Sequence, residues 1–267
     1  MKKAIVVVSF GTTYNEAIDT CIMPIERAIA EAFGEYDVYR AFTSRFVQKR
    51  LGERGIAVDC LPEVLAKLIE NGYTEAIVQP THIMDGAEYR KKVVAVCESY
   101  RDRFTRLCIG RPLLGCCGDE LSGEDCLAVV RAVAHQFPSL SPNEAVVLMG
   151  HGSQCVGSTV YACLQSSFAE CGMSVVVGVM EEGDAQSFEY VLHRLQEWQS
   201  VDTVHLMPFL VVAGCHTQND MIGGEASWQV RLEKVGYQVM PYLCGLGANP
   251  LVRALYVEWI RTMIDEN

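Results

Sequence analysis

The chain has 267 residues, half of them hydrophobic and 21% charged, enough for one large domain or two of moderate size, each with a full core. Its formal net charge of −11 argues against a nucleic-acid partner, because phosphate contacts need a basic face. No apolar run approaches the roughly 20 residues that span a bilayer, so no membrane association is expected, and the short run after Met1-Lys2-Lys3 meets a glycine turn too soon for a secretory signal; a cytoplasmic protein is expected.

Short β-rich runs alternate with longer helical patterns, the mark of parallel strands joined by crossover helices. In the first half the pattern predicts strands over 4–9, 37–42, 75–81 and 105–109, with helices over 15–33, 60–71 and 88–104. The second half repeats the order, with strands over 145–150, 174–180, 203–209 and 238–242 and helices over 157–171, 185–199 and 227–235. The segment 250–265 reads as a terminal helix crossing back onto the body. The predicted fold is α/β, two similar half-domains over 1–125 and 126–267, each a parallel sheet flanked by helices.

The halves look like copies. The run from Lys3 to Thr12 reappears from Glu144 to Ser153, with His151 in the place of Phe10. The stretch from Thr74 to Pro80 aligns without gaps on Asp202 to Pro208; carried forward, it places Gly86 on Gly214 and Glu88 on His216. The second strands align so that Ser44 faces Glu181.

In an open parallel sheet, ligands bind beyond the carboxyl ends of the strands. His151, Glu181 and His216 each follow a predicted second-half strand on that rim. Two imidazoles and a carboxylate suit a borderline divalent metal such as cobalt, iron, nickel or zinc. His151 lies between Gly150 and Gly152, where backbone or ligand can come close. His216 opens an unusually polar stretch, and Glu181 begins a polar run that could equally be plain loop. His205 falls inside a strand pattern and reads as structural.

The first half offers a second wall. Ser9, Phe10, Gly11 and Thr12 form a small turn able to present backbone N–H groups to an anion, although the Gly-Lys-Ser/Thr of a phosphate loop is missing. His82 and Glu88 add an imidazole and a carboxylate near a strand end. Arg45, Lys49, Arg50 and Arg54 cluster, as do Arg90, Lys91 and Lys92; each group is either a solvated helix face or a collar for a polyanionic ligand. The twelve cysteines show no C-x-x-C spacing and read as reduced thiols, with Cys97, Cys108, Cys163 and Cys244 acting as small hydrophobes. Cys116, Cys117 and Cys155 near expected loops are the weaker candidates for zinc or redox work.

Taken together, the segments Val8-Ser9-Phe10-Gly11-Thr12, Arg40-Ala41-Phe42-Thr43-Ser44, His82-Ile83-Met84-Asp85-Gly86-Ala87-Glu88-Tyr89, Met149-Gly150-His151-Gly152, Tyr161-Ala162-Cys163-Leu164, His205-Leu206-Met207-Pro208, Asn219-Asp220-Met221 and Gly245-Leu246-Gly247-Ala248-Asn249-Pro250 closely resemble the anaerobic sirohydrochlorin cobaltochelatases, class II chelatases of cobalamin synthesis. The likeness spans essentially the whole chain. It implies insertion of cobalt(II), as the bound substrate metal, into a tetrapyrrole, with no organic cofactor. The family's ligands fall on His151, Glu181 and His216, and its proton acceptor on His151. Two departures stand out: Cys215 replaces the acidic residue usual before the second histidine, and the segment from Gly223 to Trp228 is less acidic than the pattern.

On this reading the ring lies in a cleft between the halves, its carboxylates met by Arg45, Lys49 and Arg50, while His151 takes a pyrrole proton, shared with Glu181. Neutral imidazole is needed to ligate and to accept, so activity should fall below a pH of about 6.5. An iron or nickel chelatase of a related tetrapyrrole, or a non-catalytic carrier, would use the same residues. Leu251, Leu255 and Trp259 on the terminal helix serve either the monomer or a homo-oligomer.

Overall fold

A computed structural model describes residues 2–115, 123–152 and 157–265; the sequence candidates Cys116, Cys117 and Cys155 lie outside them. The strands are β1 (Lys2–Ser9), β2 (Asp37–Phe42), β3 (Tyr73–Pro80), β4 (Arg106–Ile109), β5 (Glu144–Gly150), β6 (Val175–Val179), β7 (Thr203–Pro208) and β8 (Gln238–Pro241). They build two four-stranded sheets in the orders β2-β1-β3-β4 and β6-β5-β7-β8, with every pairing parallel. Renumbered, the two orders are identical.

Register makes the duplication exact at the rim. Val8 pairs with Pro80 in the first sheet and Met149 with Pro208 in the second. Likewise Ser9 pairs with Phe42, and Gly150 with Val179. These are the equivalences the sequence alignment predicts, so Phe10 and His151 stand at the same position of the two scaffolds.

The central strands explain their own placement. Ala4 to Val8 and Ala145 to Met149 are all but fully buried, as expected for strands covered on both faces, whose sequence is therefore continuously apolar. Ala4, Val6 and Val8 pack with Val64 and Leu68 of the helix Leu61–Glu70 and with Val93 and Cys97. In the second unit Ala145, Val147 and Met149 pack with Val191 and Leu195 of the helix Phe188–Glu197 and with Trp228 and Leu232.

β6, which leads to Glu181, is an edge strand whose open backbone is satisfied by side chains. The Gln165 amide donates to Val175 O (2.9 Å) and its oxygen accepts from Val177 N (2.8 Å). Gln186 donates to Val177 O (3.0 Å). A strand edge closed in this way offers no template for further pairing.

The chain divides into two compact units, Met1–Glu120 with Val252–Asn267, and Leu121–Leu251. The last helix, Pro250–Asp265, thus passes to the first unit from Val252 onward. Its Tyr256 is fully buried and donates to Thr81 O (3.1 Å), Trp259 lies under the Arg111 guanidinium, and Arg106 donates to Met263 O (2.7 Å). Trp259 is therefore spent within the monomer.

Two helices fall outside the expected set, Arg45–Gly52 and Gly123–Ala134. The first is capped by Ser44, whose hydroxyl accepts from Val47 N (3.4 Å). The predicted helices over 15–33 and 88–104 contain π turns at Ile18–Ile22 and Arg90–Val94, and a third π turn, Thr217–Met221, follows His216. Among the described residues no helix is long and apolar enough to cross a membrane.

Candidate metal site

His151 is presented by a turn that the sequence makes unusually tight. β5 ends at Gly150, and a Cβ there would stand 2.7 Å from Tyr161 Cε1 and 2.8 Å from its hydroxyl. Tyr161 is itself buried, and its ring and hydroxyl pack directly against the Gly150 backbone that leads to His151. Burial raises its pKa above the ordinary phenol value, so the turn packs against a neutral hydroxyl. The imidazole of His151 is exposed, with Nδ1 3.3 Å from Gly152 O.

Gly152 has φ +92°, a left-handed conformation that side chains disfavour. A Cβ there would also stand 2.9 Å from Glu181 Cβ and 3.3 Å from Glu181 Oε2. Glu181 therefore lies directly against the backbone that carries His151. Gly152→Ala is expected to displace the carboxylate and strain the turn together, lowering cobalt affinity by about 10-fold or more; a metal titration of the folded variant measures it, and unchanged affinity would contradict the packing described.

His216 stands at the entry to its π turn, a feature frequent at functional sites. Its ring meets that of His151 edge-on, with centroids 5.0 Å apart and planes at 86°. Its Nδ1 is 2.8 Å from Asp220 Oδ2. The three expected ligands thus gather on one rim of the second sheet. Among the described residues, however, no three His, Cys, Asp or Glu side chains are already closed into a metal-holding cluster. A cavity of about 480 Å³ adjoins the rim, lined by Glu181, Glu182, Glu189 and Asp220 on its acidic side and by Trp228 and Arg231. Arg231 is engaged with Glu189 (2.8 Å) and stacked on Phe188, so the free charge facing the cavity is negative and concentrates cations.

The remaining expected residues belong to the first unit. Phe10 is 53% exposed, and Arg45 is exposed at the start of its helix. Ser9 and Thr12 are buried: the Ser9 hydroxyl accepts from Thr81 Oγ1 (2.9 Å), and Thr12 Oγ1 accepts from Tyr14 N (3.2 Å). Their hydroxyls support the turn, leaving Phe10 as its outward side chain. Glu88 is partly exposed. Both ring nitrogens of His82 are buried and have no hydrogen-bond partner among the described residues, and burial lowers its pKa to about 4.

Three residues to which the sequence assigns no site role belong to these rims, Tyr161 and Asp220 among them although both fall in the family-like segments. Asp220 could have been found from its spacing, four after His216. Tyr161 reads in sequence as an ordinary apolar helix position. Phe46, 66% exposed under Arg50 (5.4 Å to the ring centroid), sits among the basic residues of its helix.

Comparison with known proteins places this arrangement. The cobalt chelatase (CbiK) family profile matches residues 3–265. A sirohydrochlorin cobaltochelatase of Salmonella typhimurium is 38% identical over 267 residues, covering 99% of this chain and 97% of its own. The sirohydrochlorin cobaltochelatase CbiKC of Nitratidesulfovibrio vulgaris is 34% identical over 247 residues, 91% of this chain and 84% of its own. Among solved structures, SirB from Bacillus subtilis with Fe3+ has a TM-score of 0.68 at 19% identity, covering 98% of this chain and 95% of its own. The sirohydrochlorin chelatase SirB from Bacillus subtilis subspecies spizizenii in complex with cobalt has a TM-score of 0.63 at 16% identity, with 99% and 96% covered. At those identities the structural likeness concerns the fold. Fold and sequence together define a chelatase built from two like α/β halves. The chain belongs to the cobalt chelatase (CbiK) family.

Proposed function

We propose that this protein inserts cobalt(II) into sirohydrochlorin, with His151, Glu181 and His216 taking up the metal and His151 accepting a pyrrole proton. The observation that carries the site assignment is the edge-on pair of His151 and His216 rings, 5.0 Å apart, on the rim where Glu181 packs against Gly152. Two nitrogens and a carboxylate hold a borderline divalent ion firmly enough to load it and loosely enough to release it.

Insertion exchanges protein ligands for four pyrrole nitrogens and frees two protons from the ring. His151 is the exposed base of the trio and takes one of them; Glu181 or water takes the other. In the first unit, exposed Phe10 after β1 and Phe46 on the helix Arg45–Gly52 offer flat apolar contact to the macrocycle, while Arg45, Lys49 and Arg50 of that helix meet its carboxylates.

Ligand type separates cobalt from iron or nickel only weakly, and a carrier would bind without turnover. One assay addresses all three. Protein at one-fiftieth of the sirohydrochlorin concentration, supplied in turn with cobalt(II), nickel(II) or iron(II), is followed by absorbance. Repeated turnover, fastest with cobalt, is expected; conversion that stops at one equivalent of protein would overturn the enzymatic reading.

A further inference from the structure

The two site histidines are not held alike, and the difference assigns them different tasks. His216 Nδ1 faces the carboxylate of Asp220 at 2.8 Å, whereas among the described residues the hydrogen-bond partner of His151 Nδ1 is the neutral carbonyl of Gly152, at 3.3 Å. A carboxylate and a carbonyl both only accept, so in each ring Nδ1 carries the hydrogen and Nε2 keeps the lone pair. The bond to an ionised acceptor is roughly twice as strong as a neutral one, and it makes the opposite nitrogen a better metal ligand.

Local structure fixes the His216–Asp220 pair. Thr217 and Met221 are fully buried and pin one face of the turn to the core. Their neighbours His216 and Asp220, four residues apart and therefore side by side on a helical turn, are turned together toward the rim. Both are half-exposed, so the pair is open to an incoming ion. The Asp220 carboxylate also lines the acidic cavity beside Glu181.

We propose that Asp220 is a positioning residue that makes His216 the anchoring ligand and leaves His151 as the imidazole that lets go of the metal to accept the proton. This rests on the assignment of His151, Glu181 and His216 as the metal site. In metal-free protein Asp220 selects the Nδ1–H form of His216; in loaded protein it strengthens the Nε2–metal bond. His151, weakly held, swaps metal for proton without breaking a strong contact.

The test uses the full chain with cobalt(II) alone, then with sirohydrochlorin. Asp220→Asn and Asp220→Ala should weaken cobalt binding by about 10- to 100-fold. The KM for cobalt should rise by a like factor with kcat changed less than about twofold, because the proton step is spared. Asp220→Glu should restore part of the affinity. Long-range nitrogen NMR of metal-free Asp220→Ala should show the Nε2–H form of His216 appearing while His151 is unaltered. Unchanged affinity with an unchanged His216 tautomer would overturn the proposal, as would a variant in which both histidine signals move together, which marks general disruption of the rim. His216→Ala serves as the reference: if it binds cobalt like the parent, the metal-site assignment itself fails, whereas its loss alongside unaffected Asp220 variants removes only the anchoring role.

Discussion

His151→Ala is expected to lower the rate of cobalt insertion by about 10²- to 10⁴-fold, the range for removal of a general base, while leaving the fold intact. The side chain is exposed and makes no packing contribution to the core. The turn beneath it packs through Gly150 against the buried Tyr161 ring, a contact that alanine at 151 does not disturb. Initial rates followed by absorbance, corrected for spontaneous insertion, give the activity, and thermal unfolding checks the fold. Since His151 is both ligand and base, saturating cobalt should not recover the rate. A variant with parental rates would remove the proton-acceptor assignment.

The second large effect concerns stability in acid. His82 sits with both ring nitrogens buried and without a partner among the described residues, and burial lowers its pKa from the ordinary 6.5 to about 4. Between these values the unfolded chain takes up a proton that the folded chain refuses. Stability therefore falls as the pH drops through 6.5 and levels off below 4. From pH 7 to pH 4.5 this one group removes roughly 2–3 kcal/mol of unfolding free energy. His82→Leu, similar in volume and unable to titrate, should lack that part of the pH dependence when both proteins are unfolded with urea at the two pH values. Equal losses in parent and variant would show that the imidazole is solvated. The same burial keeps His82 neutral in the working protein, so any contact it makes with a ligand is as an uncharged donor or acceptor.

How much of this was legible in the chain depends on what each residue faces. β1 and β5 are unmistakable because strands buried on both sides must be apolar throughout, and β2 begins and ends where its pattern does. The helix Arg45–Gly52 is obscure for the opposite reason: Val47 and Leu51 are its only buried residues, and the rest is basic and solvated. Gly123–Ala134 carries a regular buried face of Cys126, Val129, Val130 and Val133, a helical spacing present in the sequence but absent from the predicted set. At the site, His151 announces itself because two glycines around a histidine have no use in a core. Asp220 does not, since a carboxylate in a polar run after a strand looks like loop until the buried Thr217 and Met221 show which way the turn faces. Of the turn from Ser9 to Thr12 the sequence showed its small size; only packing shows that Phe10 is its outward side chain.

One feature of the paired rims reaches beyond the present chemistry. Gly11 and Gly152 adopt nearly the same backbone angle, φ +95° and +92°, and each is backed by a side chain from the strand next door or its loop: Phe42 Cδ2 would stand 2.6 Å from a Cβ on Gly11, and Glu181 Cβ 2.9 Å from one on Gly152. The residue just before the glycine is an aromatic in one half and a metal-seeking imidazole in the other. The glycine bend is thus a socket whose plug can be exchanged without reshaping the wall around it. Lineages built on this scaffold can try new preferences for metal or macrocycle one substitution at a time, with the risk of unfolding kept away from the experiment.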